Sequence, residues 1–176
     1  MSQKLLLIDI DKCVGCYACE IACKQEHDLP LDSRLIRVIS IGPRKVGNEL
    51  HLDIVPVLCL QCEDPNCSYF CPTAAIKKTK DGIIVIDEGK CNGCKMCVYG
   101  CPYGAIYYNQ AKKVAVKCDL CIDRQTNGLE PSCVKHCIGG ALMLIDERDL
   151  GQITNATHTV RNGGTCYMSN KWRLSL

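Results

Sequence analysis

The sequence predicts an α+β fold of short strands and short helices, organised as two tandem lobes with a pseudo-twofold internal repeat and one inserted β-hairpin. Three observations predict it. Seventeen of the 176 residues are cysteine, a density at which composition by itself signals a special scaffold. Sixteen of them fall into four groups: Cys13, Cys16, Cys19 and Cys23; Cys59, Cys62, Cys67 and Cys71; Cys91, Cys94, Cys97 and Cys101; and Cys118, Cys121, Cys133 and Cys137. The third observation is the repeat. Leu7-Ile8-Asp9-Ile10-Asp11-Lys12-Cys13-Val14-Gly15-Cys16 aligns with Val85-Ile86-Asp87-Glu88-Gly89-Lys90-Cys91-Asn92-Gly93-Cys94, and Val55-Pro56-Val57-Leu58-Cys59 aligns with Val114-Ala115-Val116-Lys117-Cys118.

Each aligned segment reads as strand, turn and cysteine loop. Arg34 to Ile41 and Leu50 to Val57 flank Gly42-Pro43-Arg44-Lys45-Val46-Gly47-Asn48, which predicts a β-hairpin over 34–57 with its turn at 42–48. Gly82 to Asp87 is a further apolar strand, and the unbroken run Ala141 to Ile145 suits a buried one. Helices of one or two turns are expected near Cys19, Ser68, Val98 and Val134. After Asp146 the pattern fades, and 147–176 reads as a polar C-terminal extension. The predicted domain is therefore 1–146, with one lobe built from 1–33 and 114–146, a second from 56–113, and the hairpin between them.

The cysteine spacing carries the chemistry. The third group reads C-x2-C-x2-C-x3-C-P, the run of two-cluster ferredoxins, and the first matches it except for the proline. Cysteines two residues apart let a short loop wrap one iron–sulfur cubane, and Gly15 and Gly93 supply the permissive backbone for it. The fourth cysteine lies a helical turn beyond the third, points away, and ligates the other cluster. The lobes are thus two-cluster ferredoxin-like lobes in tandem. A zinc-stabilised module would use the same ligands, but zinc sites join two C-x2–4-C knuckles across a longer spacer. A disulfide framework needs an oxidising compartment. Met1 to Asp9 has only a short apolar run and no signal-like h-region, so a cytoplasmic location is expected.

Composition supports this reading. One Trp and one Phe promise a thin conventional core, so metal is expected to help hold the fold. The formal charge of +2 excludes a strongly basic nucleic-acid binder, and no run of 18 apolar residues encodes a membrane span. No nucleophile–base set or phosphate-cradling Gly loop is assembled, so no enzymatic chemistry of the chain's own is expected. Cys166 reads as an ordinary buried thiol. His27, His51, His136 and His158 read as surface or satisfied histidines, with His136 beside Cys137 placed to tune a cluster. Lys77, Lys78, Lys80, Lys112 and Lys113 read as solvated faces.

The stretches Cys59-Leu60-Gln61-Cys62-Glu63-Asp64-Pro65-Asn66-Cys67, Cys71-Pro72-Thr73-Ala74-Ala75-Ile76, Cys101-Pro102-Tyr103-Gly104-Ala105-Ile106, Lys117-Cys118-Asp119-Leu120-Cys121 and Pro131-Ser132-Cys133 carry a resemblance. Over about residues 5–145 the chain resembles the four-cluster iron–sulfur subunits of molybdenum and tungsten oxidoreductases, the dimethyl-sulfoxide-reductase type. The resemblance implies four [4Fe-4S] clusters. Their ligands would be Cys91, Cys94 and Cys97 with Cys71; Cys59, Cys62 and Cys67 with Cys101; Cys118, Cys121 and Cys133 with Cys23; and Cys13, Cys16 and Cys19 with Cys137. It departs from the family at Cys137-Ile138-Gly139-Gly140, where Cys-Pro-Thr-Gly is usual. The resemblance also implies a non-catalytic electron-transfer subunit with a large molybdenum- or tungsten-pterin catalytic partner. A further electron-transfer or flavin subunit, or a soluble ferredoxin, would take the other end. The tail Cys166 to Trp172, with Arg173, resembles small cytoplasmic partners of aldehyde:ferredoxin oxidoreductase-type tungsten enzymes of anaerobic metabolism. A free-standing polyferredoxin, or a carrier for enzyme maturation, is the alternative.

Overall fold

Leu5, Leu6, Leu7 and Ile8 are all fully buried, so the first strand has no solvent face. In the computed structural model, which describes residues 3–154 and 156–171, this strand, β1 (Lys4–Asp9), is an inner strand of a four-stranded sheet. Side chains alternate across a strand. Leu6 and Ile8 therefore pack on one side with Leu35, Leu58 and Leu142, and Leu5 and Leu7 on the other with Ile145, Cys166 and Met168.

Beyond β1 the chain forms α1 (Ala18–Glu26) and then a long hairpin of β2 (Ile36–Val46) and β3 (Glu49–Leu58). The sequence places the turn at 42–48. The strands instead run to Val46 and resume at Glu49, and the register shifts between Ile41 and Arg44. Gly42, at φ +119, and Pro43 occupy that irregularity, where a missing ladder donor is tolerated. Two small hairpins follow: β4 (Ile76–Lys78) with β5 (Ile84–Ile86), and β6 (Ile106–Asn109) with β7 (Val114–Lys117). The short helices α2 (Asn66–Tyr69), α3 (Met96–Gly100), α4 (Ile122–Thr126) and α5 (Ser132–Lys135) each lie in or beside a cysteine loop.

The C-terminal segment differs most from the expectation of a polar extension. After β8 (Leu142–Asp146) and α6 (Leu150–Ile153), it forms β9 (His158–Asn162) and β10 (Thr165–Ser169). The sheet order is β8-β1-β10-β9, with β10 parallel to β1 and β8 antiparallel to it. β10 is almost wholly buried, and Leu150 and Ala156 cover the Leu5–Leu7 face. Asp11 anchors the end of β10 by accepting hydrogen bonds from the Ser169 hydroxyl at 2.6 Å and the Asn170 N–H at 2.7 Å. Of the tail that begins at Cys166, Trp172 and Arg173 lie outside the described residues.

Cys166 is fully buried among Leu5, Leu7, Ile145 and Met168, as a small hydrophobe would be. Cys166→Ser places a hydroxyl in that apolar group at a cost of about 1–3 kcal/mol. The expected outcome is a lower thermal midpoint with unchanged iron content; loss of iron would mark Cys166 as a ligand.

Candidate metal centres

Grouped cysteines from separate segments of the polypeptide come together. Cys59, Cys62, Cys67 and Cys101 line one cavity of about 380 Å³, together with Lys117 and Gly163. Cys13, Cys16, Cys19 and Cys137 line a second, tighter pocket closed by Val38 and Pro56 of the hairpin. The Cys97 thiol is raised first by burial and then by the nearby Cys91, Cys71 and Cys94. Burial, with Cys133 and Cys121 adding, raises Cys23, and burial raises Cys118 well above the ordinary thiol, with Cys59, Cys133 and Cys23 adding.

Desolvation is the largest cause at each thiol that is raised. Burial pushes Cys19 up to about 12, with Cys13 adding, and Cys133 up to about 12, with Cys121 and Cys19 adding. It pushes Cys67 and Cys121 up to about 11; the Lys117 ammonium opposes it at Cys67. Crowded thiols in this state hold their protons unless a cation replaces them, so metal loading releases protons here. Cys71 is the exception. Burial pulls it up, but the Thr73 hydroxyl and the N–H groups of Ile76, Ala75 and Thr73 outweigh that and leave it below the ordinary value.

The backbone aims the sulfurs by a device used several times. Gly15 and Gly93 are at φ +68 and +73, and the residues two positions on, Tyr17 and Lys95, are at +60 and +63. Gln61 and Leu120 occupy the equivalent left-handed positions within Cys59–Cys62 and Cys118–Cys121. Three residues after Cys71, Cys101 and Cys137 stand Ala74, Gly104 and Gly140, all at positive φ. Each of these three donates its N–H to the cysteine carbonyl at 3.0–3.2 Å. The next residue points its N–H at the cysteine sulfur: Ala75 to Cys71 at 3.2 Å, Ala105 to Cys101 at 3.5 Å and Ala141 to Cys137 at 3.1 Å. Ile138 in place of the usual proline therefore leaves the Cys137 turn the same as the other two. An all-thiol donor set, with backbone N–H groups turned to sulfur, fits iron–sulfur clusters.

Several contributors escape sequence reasoning. The β9–β10 turn presses on the Cys59–Cys62 loop. A Cβ at Gly163 would meet the Gln61 carbonyl at 2.5 Å, the Gly164 N–H donates to that carbonyl at 2.9 Å, and the Thr165 hydroxyl donates to the Cys59 carbonyl. Lys117 turns inward beside four thiols although it reads as a strand-end lysine. His27 Nε2 lies 3.5 Å from Cys121 Sγ and 3.6 Å from Asp119, so it belongs to that set's surroundings. His136 places Nδ1 2.8 Å from the Ser132 carbonyl and is a satisfied helix-end histidine.

Residues 50–147 match the family described as 4Fe-4S dicluster domain. The protein is 39% identical over 143 residues to an anaerobic dimethyl sulfoxide reductase polypeptide of Escherichia coli, covering 77% of this protein and 70% of that one. It belongs to that iron–sulfur subunit family. It is also 37% identical over 153 residues to the thiosulfate reductase electron transfer subunit of Salmonella typhi, covering 85% of this protein and 80% of the relative. Against a tetrathionate reductase subunit of Salmonella typhimurium it is 37% identical over 145 residues, covering 82% of this protein and 58% of that longer relative. The family carries [4Fe-4S] clusters, in agreement with the all-thiol sets.

Gly139 provides a local test. A Cβ there would lie 2.4 Å from the Lys12 carbonyl, beside the Cys13–Cys137 set, whereas Gly151 has open space around it. Gly139→Ala should lower iron by about four atoms per chain, one cubane, and Gly151→Ala should leave it unchanged. Iron analysis with visible absorbance reads both.

Proposed function

We propose that the protein is the electron-transfer subunit of a metal–pterin oxidoreductase complex and performs no substrate chemistry itself. The observation that supports this reading is that Cys59, Cys62, Cys67 and Cys101 line one cavity and Cys13, Cys16, Cys19 and Cys137 another, each joining three cysteines of one group to the fourth of a different group. The proposed ligand sets are Cys91, Cys94, Cys97 and Cys71; Cys59, Cys62, Cys67 and Cys101; Cys118, Cys121, Cys133 and Cys23; and Cys13, Cys16, Cys19 and Cys137. Sets joined by such exchange support two tandem two-cluster lobes. A bound [4Fe-4S] cluster supplies a one-electron couple tuned by hydrogen bonds to sulfur, local charge and exposure.

Side-chain neighbours support a row of sites in the order just given. Cys67 and Cys101 of the second set pack in one cluster with Cys71, Cys91 and Cys97 of the first. Cys59 of the second set acts on Cys118 of the third, and Cys19 of the fourth acts on Cys133 of the third. The two exposed thiols, Cys94 and Cys16, belong to the first and last sets. Exposed apolar side chains flank both: Tyr69, Met96 and Tyr99 at one end, and Val14, Tyr17 and Ile138 at the other. We assign one end to a catalytic subunit and the other to a further carrier.

The names of the relatives are those of reductase subunits, and with the family resemblance they favour a molybdenum-type reductase partner. The finer reading, a tungsten partner of aldehyde:ferredoxin oxidoreductase type, rests on the tail that includes Cys166, Tyr167 and Met168, residues that here form part of β10. Among the described residues no helix is long and apolar enough to cross a membrane. Dense unpaired thiols favour the cytoplasmic side in this proposal.

Anaerobic native purification tests the reading. The expected result is about sixteen iron atoms per chain, four per cubane, with absorbance bleached by dithionite. A co-purifying large polypeptide should hold Mo or W. Zinc without colour would overturn the cluster assignment, and monomer with iron but no large partner would leave the polyferredoxin alternative. Chelation of the iron should abolish the cooperative melt, because metal binding and folding are coupled here.

A further inference from the structure

Lys117 ends β7 with its side chain inside the protein. The residue is 5% exposed. Its ammonium donates to the carbonyls of Ile84 and Cys118, and it lines the cavity shared by Cys59, Cys62, Cys67 and Cys101. Gln61, 1% exposed, meets the same two residues: its Nε2 donates to the Cys118 carbonyl at 2.6 Å, and its Oε1 accepts from the Ile84 N–H at 2.9 Å. The ammonium is therefore held in a built cradle. Both acceptors are neutral. Among the described residues no carboxylate pairs with Lys117. The other cation at this cavity, Arg161, is already paired with Glu147 at 2.6 Å.

Burying an ammonium away from water is costly unless a negative charge lies near it. Glu63 and Asp64 also line this cavity, but among the described residues neither pairs with Lys117, so the anion left to the ammonium is the four-thiol metal site itself. A [4Fe-4S] core of 2+ with four thiolates carries a net charge of about 2−, and about 3− after one-electron reduction. A fixed positive charge stabilises the more negative state more strongly. We propose that Lys117 is the built-in counter-cation of the Cys59–Cys62–Cys67–Cys101 site and raises its reduction potential relative to the outer site beside it. This rests on the cluster assignment proposed above. The third site, whose Cys118 carbonyl also meets the ammonium, feels the same charge from its far side.

The experiment is potentiometric titration of the assembled protein, followed by EPR, for wild type, Lys117→Met and Lys117→Arg. The cluster concerned is identified as the one also altered by Cys62→Ser. In Lys117→Met its reduction equilibrium should fall at least about tenfold, which is about 59 mV more negative for one electron. The sites of Cys91 and Cys13 should hold their potentials, and Lys117→Arg should restore the wild-type value. Unchanged potentials at full iron content, or an equal shift of all four, overturn the proposal. If Lys117→Met does not load this site, Lys117→Arg decides: loading with Arg shows that the site needs the charge, and failure with Arg shows that it needs the shape and overturns the proposal. Absence of iron from wild type would instead fail the cluster assignment.

Discussion

Bringing four sulfur atoms together, away from water, is the constraint on which the rest of this structure depends. Thiols in such a place resist ionisation, and ionised they repel one another. Cys19, Cys23, Cys59, Cys118 and Cys133 are nonetheless members of the main buried group, alongside Leu6, Ile8 and Leu142. Proposed ligands and core are thus the same residues. Structural metal sites bind with about 10–16 kcal/mol in small domains, as much as the whole net stability of a typical protein. Metal on this scale offsets what a protein with so few large aromatic side chains cannot supply by burial.

The backbone bears part of the cost. Tyr17, Gln61, Ala74, Lys95 and Leu120 sit in the left-handed region, which costs a non-glycine residue about 1–2 kcal/mol. Each stands inside or directly after a cysteine motif. Such strain persists only where the surroundings over-determine it. Here the surroundings are the hairpin, whose Ile54 touches the Gly15 position, the paired short hairpins β4–β5 and β6–β7, and the β9–β10 turn against Gln61. The polypeptide is arranged as a set of braces around loops that on their own would relax.

The loops were legible in the sequence because their information is local. Spacing of two and three residues dictates which sulfurs one loop can share, and glycine at Gly15 and Gly93 announces the tight wrap. The hairpin was legible as two apolar strands, although not its turn, because Gly42-Pro43 suits a bulge as well as a turn. Long-range packing was not legible. Thr165-Cys166-Tyr167-Met168-Ser169 lacks the apolar run of a central strand, and it is buried because both of its neighbours are strands. Lys117 looks like any lysine at a strand end. Only the fold shows that its side chain turns inward, and that Gln61 reaches across to hold the same Ile84 and Cys118.

The placement of β10 beside β1 bears on how the protein is made. On the ribosome β1 emerges well before either neighbour: one edge stays open until residues 142–146 have followed and the other until residues 165–169, roughly ten seconds or more later at ordinary synthesis rates. Throughout that interval the Cys59–Cys62 loop lacks the turn that presses on it. Nascent chains therefore carry the cysteine motifs while the apolar strand β1 still lacks its sheet neighbours. Metal insertion into this loop is best timed to follow synthesis of β10, which acts as the closing latch on a loop encoded a hundred residues earlier.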